Sequence, residues 1–217
     1  MLFPENNDDF CFRKKKFGGK KIRKMKKNGI VLFVAVVCAF LFSSCGYNKM
    51  VEMDEQVSSQ WSQVENVYQR RADLIPNLVS TVKGYAAHEK ETLEGVIEAR
   101  SKATSVKIDA DKLTPETLKQ FSQAQDGLSS ALSRLMVVVE RYPDLKANQN
   151  FLDLQAQLEG TENRITVERK RFNEATQAYN AYIRKIPRVI YAGWFGFEKK
   201  SYFEAQKGAE KAPEVKF

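Results

Sequence analysis

The chain has 217 residues and a formal net charge of +8, from 35 lysines and arginines and 27 acidic residues. The excess is local, because ten of the basic residues and three of the acidic ones lie within residues 1–28. The other 189 residues hold 25 basic and 24 acidic side chains. A body of mixed, near-zero charge lacks the basic face that neutralises nucleic-acid phosphates. We therefore predict no nucleic-acid partner.

Histidine and cysteine are scarce. The cysteines are Cys11, Cys38 and Cys45, and the single histidine is His88. A zinc site needs several such ligands, and a nucleophile paired with a histidine would have to use His88. We expect His88 at the surface. The sequence therefore predicts a protein that is not an enzyme, with no catalytic residues, cofactor or metal.

Residues 1–28 are predicted to be a basic, disordered tail, because they are charged, contain glycine and show no periodic pattern. Met25 is followed by Lys26, Lys27 and then an apolar run, which together make a conventional signal sequence. We therefore expect residues 1–24 to lie upstream of the true start.

Residues 29–47, GIVLFVAVVCAFLFSSCGY, are the apolar segment on which the location of the protein depends. Its unbroken apolar core, Ile30 to Phe42, suits a signal peptide and is short for a span, which needs about 20 residues. Basic residues stay cytoplasmic, so the rest of the chain is expected on the extracytoplasmic (periplasmic) side of a bacterial membrane.

The end of this segment allows two interpretations. LFSSC, ending at Cys45, resembles a bacterial lipobox, in which the cysteine is lipidated and the preceding segment is removed. The other interpretation is an uncleaved, single-pass anchor helix in which Cys45 is incidental. Lipid attachment at Cys45 is favoured, and the lipid bilayer is a predicted partner in either case.

Residues 48–187 are predicted to form an all-α, up-and-down antiparallel four-helix bundle behind the N-terminal membrane-anchor helix. The first helix covers residues 48–71, where apolar residues recur at three- and four-residue spacing. Asp73 can cap a new helix with Pro76 in its first turn, so we favour a turn there. The rival is one long kinked helix, because the apolar stripe continues in phase past Pro76.

The second helix is predicted to end near Lys102, followed by a loop over residues 104–113. Thr114 and Pro115 begin the third helix as cap and first residue, and Pro143 ends it. The last helix runs to Pro187. Short links between long amphipathic helices indicate antiparallel neighbours.

Two polar clusters are candidate sites, one near the predicted first turn and one that interrupts the apolar stripe of the last helix. Arg70, Arg71, Asp73 and Asn77 either form a polar recognition end of the bundle or serve as caps and solvated charge, and we favour the second. Arg71 and Asp73 remain candidates for partner binding. Glu162, Asn163 and Arg164 form either a solvated stretch, which is favoured, or a buried polar network that fixes helix register.

Residues 188–217 are predicted to be an aromatic and then polar tail. Trp194, Phe195 and Phe197 lie between glycines and are candidates for binding a partner's groove or a membrane interface. The favoured alternative is that they fold back over the open end of the bundle.

Three blocks of the sequence resemble the LemA family of bacterial membrane-anchored proteins. They are RRADLIPNLVSTVKGYAAHEKETLEGVIEAR (70–100), LEGTENRITVERKRFN (158–173) and AGWFGFEKKSYFEAQKGAEKAPEVKF (192–217). The resemblance covers nearly everything from Tyr47 onward. It implies an N-terminal membrane anchor, a short cytoplasmic end and an outer helical bundle, with no established activity, catalytic residues or cofactor. The lipobox-like end departs from a simple single-pass anchor.

Two functions remain. The first is a non-enzymatic envelope scaffold or accessory protein that binds other envelope proteins, and the resemblance implies an accessory role of this kind. The second is a ligand-binding or small-molecule-sensing bundle. A tightly packed core favours the first, and an internal apolar cavity with converging polar groups favours the second.

Overall fold

The computed structural model describes residues 19–204, with the backbone alone for residues 19–28, 30 and 34–45. The chain divides into two compact units, Met1–Tyr47 and Asn48–Phe217. Helix α1, Gly19–Tyr85, contributes to both. Between residues 19 and 204 every regular element is a helix, which confirms the all-α prediction.

In the first unit, residues 19–47 are helical. The described apolar side chains Val31, Leu32 and Phe33 are exposed. Within the described residues, no helix has a stretch long and apolar enough to cross a membrane. The side chains of most of the predicted apolar core, and that of Cys45, lie outside the described residues, as do residues 1–18 of the predicted tail.

In the second unit, α1 continues to Tyr85 and is followed by a short turn and then by further helices. Those helices are α2 (Lys90–Ser105), a 3₁₀ turn (Ala110–Lys112), α3 (Pro115–Val139), the short α4 (Pro143–Lys146), α5 (Gln149–Ile183), the short α6 (Arg188–Ala192) and a second 3₁₀ turn (Gly193–Phe195).

Side-chain contacts fix the direction of α2 and α3. Arg100 Nε donates to the Ala72 carbonyl at 2.7 Å. Farther along the chain, Ile108 accepts from Trp61 Nε1 at 3.0 Å, so α2 runs back along α1. Helix α3 then reverses again, since Gln125 Nε2 donates to the carbonyl of Ala103 in the last turn of α2, and Tyr142, just after α3, donates to Glu89, just before α2.

Helix α5 runs antiparallel to α1. The Asn148 amide, just before α5, donates to Tyr85 Oη at 2.9 Å. The ring of Phe172, near the other end of α5, lies 5.6 Å from that of Trp61. Residues closer to the C-terminus of α5 therefore lie closer to the N-terminal end of this unit.

The predicted turn at Asp73–Asn77 is wrong. Helix α1 continues through Pro76 to Tyr85, as in the rival interpretation, and the chain reverses over residues 86–89 instead. Pro76 is exposed, while Ile75 and Leu78 beside it are fully buried. The apolar stripe therefore holds the helix in register across the missing hydrogen bond. The stripe of buried apolar residues ends at residue 86, and the next two residues, Ala87 and His88, are exposed.

The predicted start of α3 is confirmed. The Thr114 hydroxyl accepts from the Thr117 amide at 3.2 Å and Pro115 is the first helical residue. Pro143 follows the end of α3 as predicted, and also begins the short α4. At the start of α5, the Asn148 side chain caps the helix by accepting from the Phe151 amide.

Two clusters of buried side chains lie at successive levels along the second unit. The first contains Ile75, Leu78, Leu128, Leu135, Phe151 and Leu158, among others. The second is aromatic, with Trp61 at its centre, and it includes Val57, Tyr68, Phe121, Ile165, Phe172 and Phe203. Trp61 lies 5.3 Å from Phe121 and 6.0 Å from Phe203 between ring centroids.

Replacing Pro76 by alanine should stabilise the second unit. The change restores a backbone donor in an exposed, unbroken helix, and proline costs up to about 3 kcal/mol relative to alanine there. We expect a gain of roughly 1–3 kcal/mol in the free energy of unfolding, measured by urea denaturation of the detergent-solubilised chain. The matched control Asn77→Ala, also exposed on α1, should gain only about 0.5 kcal/mol. A loss of stability in Pro76→Ala would show that the helix depends on the proline.

Candidate functional site

A buried arginine links three helices of the second unit. Arg71 on α1 is 1% exposed. Its guanidinium donates to Gln125 Oε1 at 2.6 Å and to Ser129 Oγ at 3.0 Å, both on α3. It also forms an ion pair with Glu162 on α5. A buried charge costs several kcal/mol unless it is paired and hydrogen-bonded, and here both conditions are met. We call Arg71, Gln125, Ser129 and Glu162 the arginine layer.

The arginine layer lies between the two apolar clusters. On α3, Gln125 is flanked by Phe121 of the aromatic cluster and Leu128 of the other. On α5, Glu162 lies between Leu158 and Ile165, which belong to the same two clusters. The polar groups of all three helices therefore occur at one level, and slippage of any helix would leave a buried charge unpaired.

Arg71 forms part of the wall of an open groove of about 720 Å³. Its other walls come from α3, from α5 and from the segment that follows the second 3₁₀ turn. Arg71 Nε is buried and has no hydrogen-bond partner among the described residues. The lining residues of the groove are Tyr68, Arg71, Gln125, Asp126, Ser129, Glu162, Ile165, Thr166, Arg169, Lys170, Asn173, Glu174, Gln177, Tyr202, Phe203 and Glu204.

Charges of both signs surround the groove. Arg169 stacks on Phe203, with the guanidinium carbon 4.6 Å from the ring centroid, and donates to the Glu204 carbonyl at 3.2 Å. Tyr68 lies under the Arg71 guanidinium, which is 5.1 Å from its ring centroid. Burial raises the pKa of the Tyr68 phenol above its ordinary value, so this hydroxyl is a neutral polar group at physiological pH.

Two asparagines on α5 hold the C-terminal strap, which we define as residues 198–204. The Asn180 side chain donates to the Lys200 carbonyl at 2.8 Å and accepts from the Lys200 amide at 3.0 Å. Asn173, two helical turns earlier, makes the same pair of bonds with the backbone of Phe203, at 3.1 and 2.9 Å. The strap thereby runs antiparallel to α5 and brings Phe203 onto Trp61.

An apolar surface lies just before the strap. We call Ile186, Val189, Ile190, Trp194 and Phe195, all exposed, the C-terminal apolar patch. The Tyr191 and Phe195 rings meet edge to face at 6.3 Å. Phe197 is partly buried against the aromatic cluster. Of the three predicted aromatic candidates, Phe197 therefore packs on the aromatic cluster, whereas Trp194 and Phe195 are exposed.

The structure separates the first predicted polar cluster. Arg71 is buried, whereas Arg70, Asp73 and Asn77 are exposed. Asp73 does not cap a new helix, and its carboxylate accepts from Gln69 one turn earlier on α1. In the second cluster, Glu162 contacts buried Arg71 from the helix surface, while Asn163 and Arg164 are exposed. His88 is exposed, as predicted.

Sequence reasoning missed Gln125, Ser129, Asn173 and Asn180. A signal was present for two of them, because Gln125 occurs between Phe121 and Leu128 in the apolar stripe of α3. Asn180 follows Tyr179 on the inner side of α5 and is 2% exposed. A polar side chain at an inward position must have a partner, but the sequence does not say where that partner lies.

The fold and site define a class: an all-helical protein whose helices are fixed by a buried ion pair beside a groove. The chain belongs to the LemA family, whose sequence model matches residues 60–217. Magnetosome protein MamQ 2 of Paramagnetospirillum magneticum is 28% identical over 203 residues, covering 83% of this chain and 73% of the relative.

Two other relatives have similar levels of identity. Magnetosome protein MamQ of Magnetospirillum gryphiswaldense is 26% identical, covering 90% of this chain and 77% of its own. Protein LemA of Metamycoplasma hominis is 28% identical over 155 residues, covering 71% of this chain and 67% of its own. The resemblance to the LemA family that the sequence indicated is thereby confirmed.

Replacing Glu162 by glutamine should destabilise the second unit, because it removes the charged partner of a fully buried guanidinium. We expect a loss of about 1–3 kcal/mol in the free energy of unfolding, below the roughly 3–5 kcal/mol of deeper ion pairs, since Glu162 is half exposed. Glu159→Gln, one turn earlier and exposed, is the matched control and should change stability by less than about 0.5 kcal/mol. Equal effects of the two substitutions in urea denaturation would refute a stabilising role for the pair.

Proposed function

We propose that this protein is a non-enzymatic, membrane-anchored helical bundle that acts as a scaffold or accessory protein of the bacterial envelope. In this proposal, residues 29–47 attach the chain to a membrane, either as an uncleaved helix or through a lipid on Cys45. The second unit is an up-and-down four-helix bundle on the extracytoplasmic side. Its partners are other envelope proteins.

The hydrogen bonds of the Arg71 guanidinium are the main observation in support of this proposal. In many proteins a buried arginine beside a groove would bind or activate a substrate. Here its terminal nitrogens are occupied by Gln125, Ser129 and Glu162, from two other helices. The most distinctive polar group of the bundle therefore stabilises the arrangement of helices. That favours a rigid body that presents its outer faces over a site for chemistry.

Membrane attachment is supported by sequence and by the relatives. The basic residues before the apolar segment are typical of an anchor or signal segment. Relatives named as magnetosome proteins are consistent with a membrane-associated role. The proposed side of the membrane is inferred only from the position of the basic tail, because basic residues stay cytoplasmic.

Replacing Cys45 by alanine tests the mode of attachment. If Cys45 is lipidated, the variant should accumulate as a slower-migrating precursor or leave the membrane fraction, since the mature chain loses its acyl chains. Cys38→Ala, within the same apolar segment, is the matched control and should be processed like the parent chain. Unchanged mobility and fractionation of Cys45→Ala would eliminate the lipoprotein form and leave the uncleaved anchor.

The scaffold role itself is tested by crosslinking the anchored chain in native membranes. We expect discrete crosslinked adducts with particular envelope proteins. The same adducts should be recovered when the purification tag is placed on the partner instead of on this chain. Adducts that contain only this chain would contradict the proposal.

A ligand-binding bundle is the second candidate function, and one observation favours it. The groove of about 720 Å³ has two cations, Arg169 and Lys170, in its walls, and it borders Arg71, whose buried Nε has no partner among the described residues. That volume lies within the range of small-molecule sites. Such donors suit a carboxylate or phosphate group on a small molecule.

A thermal-shift screen of carboxylate- and phosphate-bearing small molecules tests this alternative. A bound ligand should raise the midpoint of unfolding in a concentration-dependent way. Arg169→Gln should abolish the shift, because Arg169 lines the groove and lies outside the arginine layer. Arg164→Gln, exposed on α5 and outside the groove, should leave it intact. A screen without shifts, or equal shifts in both variants, would eliminate the groove as a site for this class of ligand.

A further inference from the structure

The C-terminal apolar patch lies at the end of the second unit where the chain enters it. Lys200 Nζ pairs with Asp54 at 2.7 Å, and Asn180 on α5 holds the backbone of the same lysine. The last turn of α5, at Ile183, therefore lies level with Met50, since α5 is antiparallel to α1. The patch begins three residues beyond Ile183. Asn48, the first residue of the unit, follows the apolar segment directly.

The patch is too apolar for an ordinary exposed turn. Ile186 is 83% exposed, Ile190 62% and Trp194 82%. They occur within nine residues, whereas exposed apolar residues of soluble proteins are usually scattered. The short α6 buries Ala192, its smallest residue, and turns Val189 and Ile190 outward. Burial of apolar area would favour the opposite arrangement, with Val189 and Ile190 packed inward.

Basic residues flank the patch in sequence. Arg184 and Lys185 are exposed immediately before Ile186. Arg188 stacks over Tyr182, with its guanidinium carbon 3.9 Å from the ring centroid, and so remains beside the patch. Glu198 is the acidic residue next in sequence after the patch. Exposed aliphatic groups, a tryptophan and several cations together are typical of surfaces that enter the headgroup region of an anionic bilayer.

We propose that the C-terminal apolar patch inserts into the headgroup region of the bilayer to which the chain is anchored, as a second membrane contact. Trp194 and Ile190 enter the acyl boundary, and Arg184, Lys185 and Arg188 face the lipid phosphates. This inference rests on the proposed membrane attachment and adds to it. A bundle held at two points has a fixed orientation on the membrane, whereas one held by residues 29–47 alone swivels about that connection.

The chain contains two tryptophans, which makes the inference directly measurable. Trp194 is in the patch, and Trp61 is buried at the centre of the aromatic cluster, more than three helical turns from Asn48. The full chain is reconstituted into vesicles of phosphatidylcholine and phosphatidylglycerol whose acyl chains carry bromine atoms, which quench indole fluorescence on contact. The emission of Trp194 is the difference between the parent chain and Trp194→Phe, and the Trp194→Phe chain alone reports Trp61.

The expected result is loss of most of the Trp194 emission in brominated vesicles, with shielding of Trp194 from aqueous acrylamide. Trp61 should be unaffected by bromine. Trp194 that is open to acrylamide and unquenched by bromine, in protein that floats with the vesicles, would overturn this inference and leave the attachment standing. Trp194 shielded from both quenchers would also overturn it, because the patch would then contact protein. Protein that fails to float would refute the attachment itself.

Discussion

The ion pair between Arg71 and Glu162 is the constraint on which the second unit depends. A guanidinium that is 1% exposed tolerates few arrangements of its neighbours. Here it requires Gln125 and Ser129 of α3 on one side and Glu162 of α5 on the other. Apolar contacts above and below are non-directional, whereas each group of this layer needs a particular partner. It therefore sets the register of three helices at the point where the two apolar clusters meet.

The same layer explains why the groove is there. Between Phe121 and Leu128, and between Leu158 and Ile165, the helices present polar side chains where large apolar ones would otherwise fill the space between them. Glu162 approaches Arg71 from the helix surface, so the contact leaves a concave region between α3 and α5. Phe203 and Arg169, which stack on each other, form part of its wall. The groove thus borders a stabilising contact, and it has the polar lining that a binding site would need.

The two ends of the second unit are built differently. At the end near Tyr85 the chain turns tightly, and Asn148 bonds to Tyr85 across the link between helices. At the opposite end the strap is clamped by Asn173 and Asn180, each of which bonds both the amide and the carbonyl of a strap residue. Those bonds fix the position from which the C-terminal apolar patch projects. The exposed side chains are therefore held on a rigid base, beside the point where the chain enters the unit.

The sequence by itself determined the helical class, the start of α3 with its cap at Thr114 and first residue Pro115, and the family. These depend on local chemistry, namely three- and four-residue periodicity, capping oxygens and proline at the first helical position. It did not determine where the first long helix ends, because Asp73 and Pro76 carry a local turn signal. The burial of Ile75, Leu78 and Val82 outweighed that signal.

Tertiary structure alone decided the roles of Arg71, Glu162 and the asparagines of α5. Arg71 and Glu162 lie 91 positions apart in the chain, so their pairing depends on how α1 and α5 pack. The sequence marked Glu162 as a polar interruption of a stripe and placed Arg71 near a predicted turn, and solvated charge was the favoured interpretation of each alone. In each case the partner is distant in sequence, and only the packed helices bring it within bonding distance.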